Sequence, residues 1–244
     1  MNNGLVQVIG LALLPALGNL SGGVLAEWLR SSRHTLNLAL HAATGIIFAV
    51  VAVKVMLAAP QETPAWLLAL AFLAGGGAYL LVEAGIERWQ QDKSMAAGAG
   101  AWMVYVAIAA DVVGDGLLIG AATAVTSQLG PALALGQILA DIPEGFAVVA
   151  NFRDKGLGRA RRLLISASFV VPVIGAAVLA YLALRGQGET IKMAALVFVA
   201  GLYTLAAVED MMAEAHESAE DSRWSAISFL VGFALFLVVS GGLG

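Results

Sequence analysis

The chain has 244 residues, of which 60% are hydrophobic and 12% charged, with a formal net charge of −4. A soluble domain is about 45–50% apolar and about 25% charged, so this composition excludes one and points to a membrane protein; no basic stretch offers a footprint for nucleic acid. Cysteine is absent, which excludes disulfides, thiolate ligands and cysteine-based catalysis and leaves oxygen and nitrogen ligands for any metal.

The N-terminal Met1-Asn2-Asn3-Gly4 carries no positive charge, and the apolar run from Leu5 outlasts the core of a signal peptide. A retained first helix is therefore expected. Runs able to cross about 30 Å of hydrocarbon at about 1.5 Å per residue fall at 4–28, 36–58, 64–87, 98–125, 129–151, 163–184, 193–214 and 224–243. They predict an all-α polytopic membrane protein with eight transmembrane helices, forming one transmembrane domain over 1–244. Links such as Ser31-Ser32-Arg33, Gln90-Gln91-Asp92-Lys93 and Arg185-Gly186-Gln187-Gly188 are too short to hold a soluble domain.

Arg30, Arg33, Arg88, Lys93, Arg153, Lys155, Arg159, Arg161, Arg162 and Arg223 fall on one side of this bundle, and Arg185 and Lys192 on the other. The positive-inside rule then puts both termini outside. Lys54, near the outer end of the second span, reads as a snorkelling side chain. The 28 glycines include Gly75-Gly76-Gly77, Gly98, Gly100, Gly114 and Gly116, which suit close helix packing in lipid.

The chemistry lies in acids set inside apolar runs. Glu83 and Glu87 stack on one face of the third span and read as polar contacts near the inner surface, with Arg88 as a partner. Asp111-Val112-Val113-Gly114-Asp115-Gly116 lies in the fourth span and Asp141-Ile142-Pro143-Glu144-Gly145 in the fifth. A carboxylate at the bilayer centre costs about 2.5–3.5 kcal/mol, so four facing lipid would cost on the order of 10 kcal/mol. They are expected to face a polar cavity and one another. Spacings of four and three residues put each pair on one helix face, and Pro143 frees the carbonyl of Leu139 as a further oxygen. Such a set suits a hard divalent cation. The seventh span ends in Glu209-Asp210 and then Glu214, His216 and Glu217. Glu209 and Asp210 are within reach of the same cavity but point about 100° apart, and Glu214 and His216 read as an exit path. His41 reads as a buried, hydrogen-bonded histidine.

On these residues the chain resembles the ZIP (Zrt/Irt-like) family of divalent metal transporters over nearly its whole length. The family's fourth-helix His-Asn-x-Pro-Glu-Gly pattern corresponds to Asp111 through Gly116, its fifth-helix x-x-Pro-Glu-Gly pattern to Asp141 through Gly145, and its seventh-helix pattern to Ala200-Gly201 through Glu209-Asp210 and on to His216. Asp111 stands in place of the usual His, Val112 in place of Asn or Asp, Gly114 in place of Pro and Asp115 in place of Glu. Ala140 and Val171 also lack the family's ligand types. The resemblance implies a 3+2+3 inverted-repeat arrangement and transport of divalent metal ions through Asp111, Asp115, Asp141, Glu144, Glu209 and Asp210 by alternating access. The departures favour one central metal and oxygen-loving ions, manganese and ferrous iron, with zinc and cadmium retained.

The expected partners are divalent metal ions, carried as substrate, and the lipid bilayer, with a homodimer left open and no prosthetic group. A prokaryotic inner membrane suits so compact a chain. Two rivals remain. An intramembrane aspartyl protease would use Gly114-Asp115 and Pro131-Ala132-Leu133, but neither Asp111 nor Asp141 follows a tyrosine and Val112 breaks the glycine motif. A non-transporting metal sensor of the same fold would keep the acids without turnover.

Overall fold

A computed structural model describes residues 2–29, 32–93, 99–219 and 222–242. Arg30, Ser31 and Gly98, and the span limits set at 98 and 243, lie outside them. The helices are α1 (Asn2–Trp28), α2 (Arg33–Ala49), α3 (Ala65–Lys93), α4 (Ala99–Val125), α5 (Leu129–Asp154), α6 (Arg159–Ser168), α7 (Val170–Leu184), α8 (Glu189–Ala206), α9 (Met212–Ser218) and α10 (Arg223–Gly241). A π-helical stretch, Val50–Val55, prolongs α2, and a second, Ala207–Met211, joins α8 to α9.

Among the described residues these elements make eight continuous helical spans long and apolar enough to cross a membrane, and no strand occurs. The sixth and seventh begin at Arg159 and Glu189, earlier than their apolar runs, because polar residues continue the helix beyond the edge of the hydrocarbon. Apolarity marks membrane thickness, whereas backbone hydrogen bonding marks the helix. The break between α6 and α7 falls where Pro172 confronts the carbonyl of Ser168 four residues earlier. Pro143, by contrast, leaves α5 unbroken.

Close pairing joins α1 to α5, α4 to α7, α2 to α10 and α3 to α8. One group of helices is thus α1, α4, α5 and α7; α2, α3, α8 and α10 form the other, and α4·α8 and α2·α5 contacts join the two. The outer faces are apolar: Leu81 of α3 is 77% exposed and Val238 of α10 75%. Such faces fit lipid as solvent, with the backbone satisfied within each helix.

Glycines set the closest approaches. A Cβ on Gly45 would run into the carbonyl of Phe229, and one on Gly201 into that of Phe72. Gly232 and Gly75 meet the carbonyls of Ala42 and Phe198 in the same way, and Gly145 and Gly116 those of Asn19 and Val173. Burial follows the same sequence of exposed, half-buried and buried positions along 33–45 as along 189–201.

Two polar clamps bind one end of the bundle. Arg162 donates from Nε and Nη2 to Glu27 at 2.6 and 2.8 Å, and from Nη1 to the Leu157 carbonyl, tying α1 to α6. Asn37 donates to the carbonyls of Ala215 and Ala219 and accepts from Ser225 Oγ at 2.7 Å, closing the end of α9 against α2 and α10.

Candidate functional site

Asp111 and Asp115 lie one turn apart near the middle of α4, and Asp141 and Glu144 about one turn apart on α5. Because α4 packs on α5, the four acids come together. The carboxyls of Asp111 and Glu144 lie within electrostatic reach of each other, an arrangement that favours a proton or a cation between them. Asp141 lies within the electrostatic reach of both Asp115 and Asp111.

Asp115 is 3% exposed and Asp141 1%. Gln137 Nε2 donates to the Asp115 carboxylate at 3.0 Å and to its main-chain oxygen at 3.2 Å, and the Tyr203 hydroxyl of α8 lies within reach of the same carboxylate. Asp115 is therefore oriented by Gln137 of α5 and approached by Tyr203 from the other helix group. Asp141 differs: both of its carboxyl oxygens are buried without a protein partner, as are Gln137 Oε1 and Asn19 Nδ2. An unpaired buried acceptor costs about 1–3 kcal/mol, so two on one carboxyl call for a proton, water or a cation. Among the described residues no group of three or more His, Asp or Glu side chains stands close enough together to hold a metal ion as they are placed. The acids form an open constellation that a cation would have to draw in.

A cavity of about 400 Å³ between α3, α4 and α8 runs up to this constellation, lined by Tyr79, Glu83, Glu87, Asp111, Gly114 and Asp210 among others. Tyr79 and Asp210 both line it and lie within reach of each other. Glu83 and Glu87, expected as surface contacts, thus belong to the cavity wall. Asp210 also reaches it, through the π-helical turn that carries it, a geometry frequent at functional sites. Glu209 and Asp210 are both exposed, but Glu209 is not part of the wall.

Glu214 is half-buried, within reach of Glu217 and Lys155. His216 is exposed, its ring edge-on to His41 with centroids 6.0 Å apart. Neither joins the four acids. His41 is 3% exposed, with Nδ1 2.8 Å from the Asn37 carbonyl. Lys54 does not simply snorkel: its Nζ donates to the main-chain oxygen of Ser240 at 3.3 Å.

The residues that sequence reasoning missed are Gln137, Tyr203 and Tyr79. Gln137 is a polar residue one turn before Asp141, and Tyr79 stands one turn before Glu83, so the same spacing rule that paired the acids would have found both. Tyr203 comes from a different helix and had no such signal.

On the other side of the acids the described residues pack closely around Gly136. Val50 and Phe236 are 1% and 0% exposed, and they close on Gly136 of α5, where a Cβ would lie 2.9 Å from the Phe236 ring. Comparison with known proteins adds no name: no protein-family model matches the chain, and no curated protein does.

Proposed function

We propose that this protein carries divalent metal cations across a membrane by alternating access, as a divergent member of the ZIP family, with Asp111, Asp115, Asp141 and Glu144 holding the ion midway. The observation that carries the reading is Asp141, a carboxyl buried in an apolar bundle with both oxygens unpartnered beside three further acids. An intramembrane acid is functional by default because lipid penalises it so heavily. The all-oxygen set favours manganese and ferrous iron over softer ions, with zinc and cadmium as weaker substrates. Asp210, Glu83 and Glu87 would conduct the ion along the cavity, with Glu214 and His216 at its inner mouth.

Alternating access between related halves needs an internal repeat, and several observations support a 3+2+3 inverted one. Exchanging the first span with the sixth, second with seventh, third with eighth and fourth with fifth turns the α1·α5 pair into α7·α4 and the α2·α10 pair into α8·α3. The Gly45–Phe229 contact becomes Gly201–Phe72, Gly232–Ala42 becomes Gly75–Phe198, and Gly145–Asn19 becomes Gly116–Val173. The two π-helical stretches exchange as well. The register is visible in sequence: Phe72-Leu73-Ala74-Gly75 aligns with Phe229-Leu230-Val231-Gly232, and Val24-Leu25-Ala26 with Val178-Leu179-Ala180. The asymmetric Arg and Lys distribution supports both termini outside.

Metal flux into proteoliposomes tests the proposal, offering manganese, ferrous iron, zinc and cadmium separately and in competition, with Glu144→Ala beside the wild type. Saturable flux, lost in the variant although it remains folded, is the expected result. Binding without flux would instead support the sensor, and normal flux in Glu144→Ala would remove these acids from the pathway.

A further inference from the structure

Under the span exchange described above, residues 79, 83 and 210 correspond to 236, 240 and 54. On the open side these are Tyr79, Glu83 and Asp210, which line the cavity. On the shut side they are Phe236, Ser240 and Lys54. The correspondence extends to which elements meet. Tyr79 of α3 lies within reach of Asp210 in the π-helical turn after α8, and Lys54, in the π-helical stretch after α2, donates to the Ser240 main chain of α10 at 3.3 Å. One scaffold therefore carries a hydroxyl and carboxylates at one end, and an aromatic ring, a neutral hydroxyl and an ammonium at the other.

Val50 and Phe236, sealed against Gly136, are the counterparts of Ala206 and Tyr79, both of which line the cavity. When the shut half opens, α5 must leave Val50 and Phe236, and the path so formed has Lys54 where the present cavity has Asp210. We infer that Lys54 is a specificity-determining residue at the mouth of this second access path, where its ammonium opposes a divalent cation approaching the acids from that side. The inference rests on the transport reading. Its consequence is an unequal carrier, with weaker apparent affinity on the Lys54 side than on the Glu83 side, set by charge at one position of an otherwise matched pair. A snorkelling lysine would leave both affinities alone.

The test is manganese flux in right-side-out and inside-out membrane vesicles containing wild type, Lys54→Met or Lys54→Arg. Removing one unit charge from the approach of a divalent ion should lower KM on the order of tenfold in one vesicle polarity and leave the other unchanged, while Lys54→Arg keeps both wild-type values. Because the chain has no native cysteine, Lys54→Cys offers a second variant. Its KM should return to wild type after an aminoethyl methanethiosulfonate restores the positive charge, and not after the neutral methyl reagent. Unshifted KM in both polarities, an equal shift in both, or failure of the charged reagent to restore KM overturns the role of Lys54. Wild type without flux in either polarity overturns the transport reading itself, and the inference with it.

Discussion

Alanine at Gly45 and alanine at Gly201 should have the same effect. At Gly45 an added Cβ would lie 2.9 Å from the Phe229 carbonyl carbon and 3.0 Å from the Phe233 nitrogen; at Gly201 it would lie 2.8 Å from the Phe72 carbonyl carbon and 3.0 Å from its Cα. Ordinary contact begins near 3.4 Å, and the carbonyl oxygens of Phe229 and Phe72 lie closer still to the added Cβ, so α2 must part from α10, or α8 from α3, by roughly an ångström or more. The opposing atoms are backbone and cannot rotate away. Overpacking of this kind costs about 1–3 kcal/mol, and at about 2–4 °C per kcal/mol for a chain of this size each variant should unfold roughly 2–12 °C below wild type. The sites lie on different helix pairs, so the double variant should lose the sum of the two single effects. Thermal unfolding in detergent, followed by tryptophan fluorescence, measures all three. Tolerance at one glycine and a large loss at the other would refute the equivalence of the two helix pairs, and with it the repeat on which alternating access is argued.

Two further outcomes follow from single contacts. Glu27→Gln leaves the Arg162 guanidinium, only 10% exposed at its side chain, without a counter-charge; about 3–5 kcal/mol should be lost, and Glu27→Gln combined with Arg162→Met should recover much of it in the same unfolding assay. Gln137→Met keeps side-chain volume but removes the donor at 3.0 Å from Asp115, so the KM for manganese flux should shift, and leaving the buried Asp115 acceptor unpaired at about 1–3 kcal/mol should lower the melting temperature by roughly 2–12 °C; a stability loss with unchanged KM would make Gln137 a packing residue alone.

The helices were legible in the sequence because each must satisfy its backbone within an apolar run, and only their polar ends escaped notice. Asp111, Asp115, Asp141 and Glu144 were legible for a related reason: acids in hydrocarbon have few alternatives to meeting one another. Glu83 and Glu87 were misjudged, since their stacking on one face of α3 is visible but the fact that this face turns to α4 and α8 is a tertiary matter. Glu209 and Asp210 could be separated only as pointing apart; the π-helical turn decides that Asp210 takes the cavity. The proposed repeat was expected from the family resemblance alone; Phe-Leu-x-Gly at 72–75 and 229–232 is a sequence trace of it that went unread, because the charge-bearing positions, where the aligned segments differ, drew attention away from the glycines that match.

That division between matching glycines and differing charges bears on how the two states balance. A scaffold built from related halves gives both conformations similar helix contacts, so side chains at the differing positions set the bias. Closing the half now open would bring α4 against α3 and α8 and carry Glu83, Asp210 and Asp111 out of water, and a buried carboxylate without a counter-charge is penalised by several kcal/mol. Closing the other half buries Val50, Phe236 and Ala140, which favours packing. The empty protein should therefore rest open on its acidic side, as it stands in this structure. A divalent cation bound among Asp111, Asp115, Asp141 and Glu144 would cancel the charge of Asp111, one of the three acids that resist closure, making the ion itself a ligand that shifts the population, in the proposed cycle, toward the state in which Lys54 meets the opposite solution.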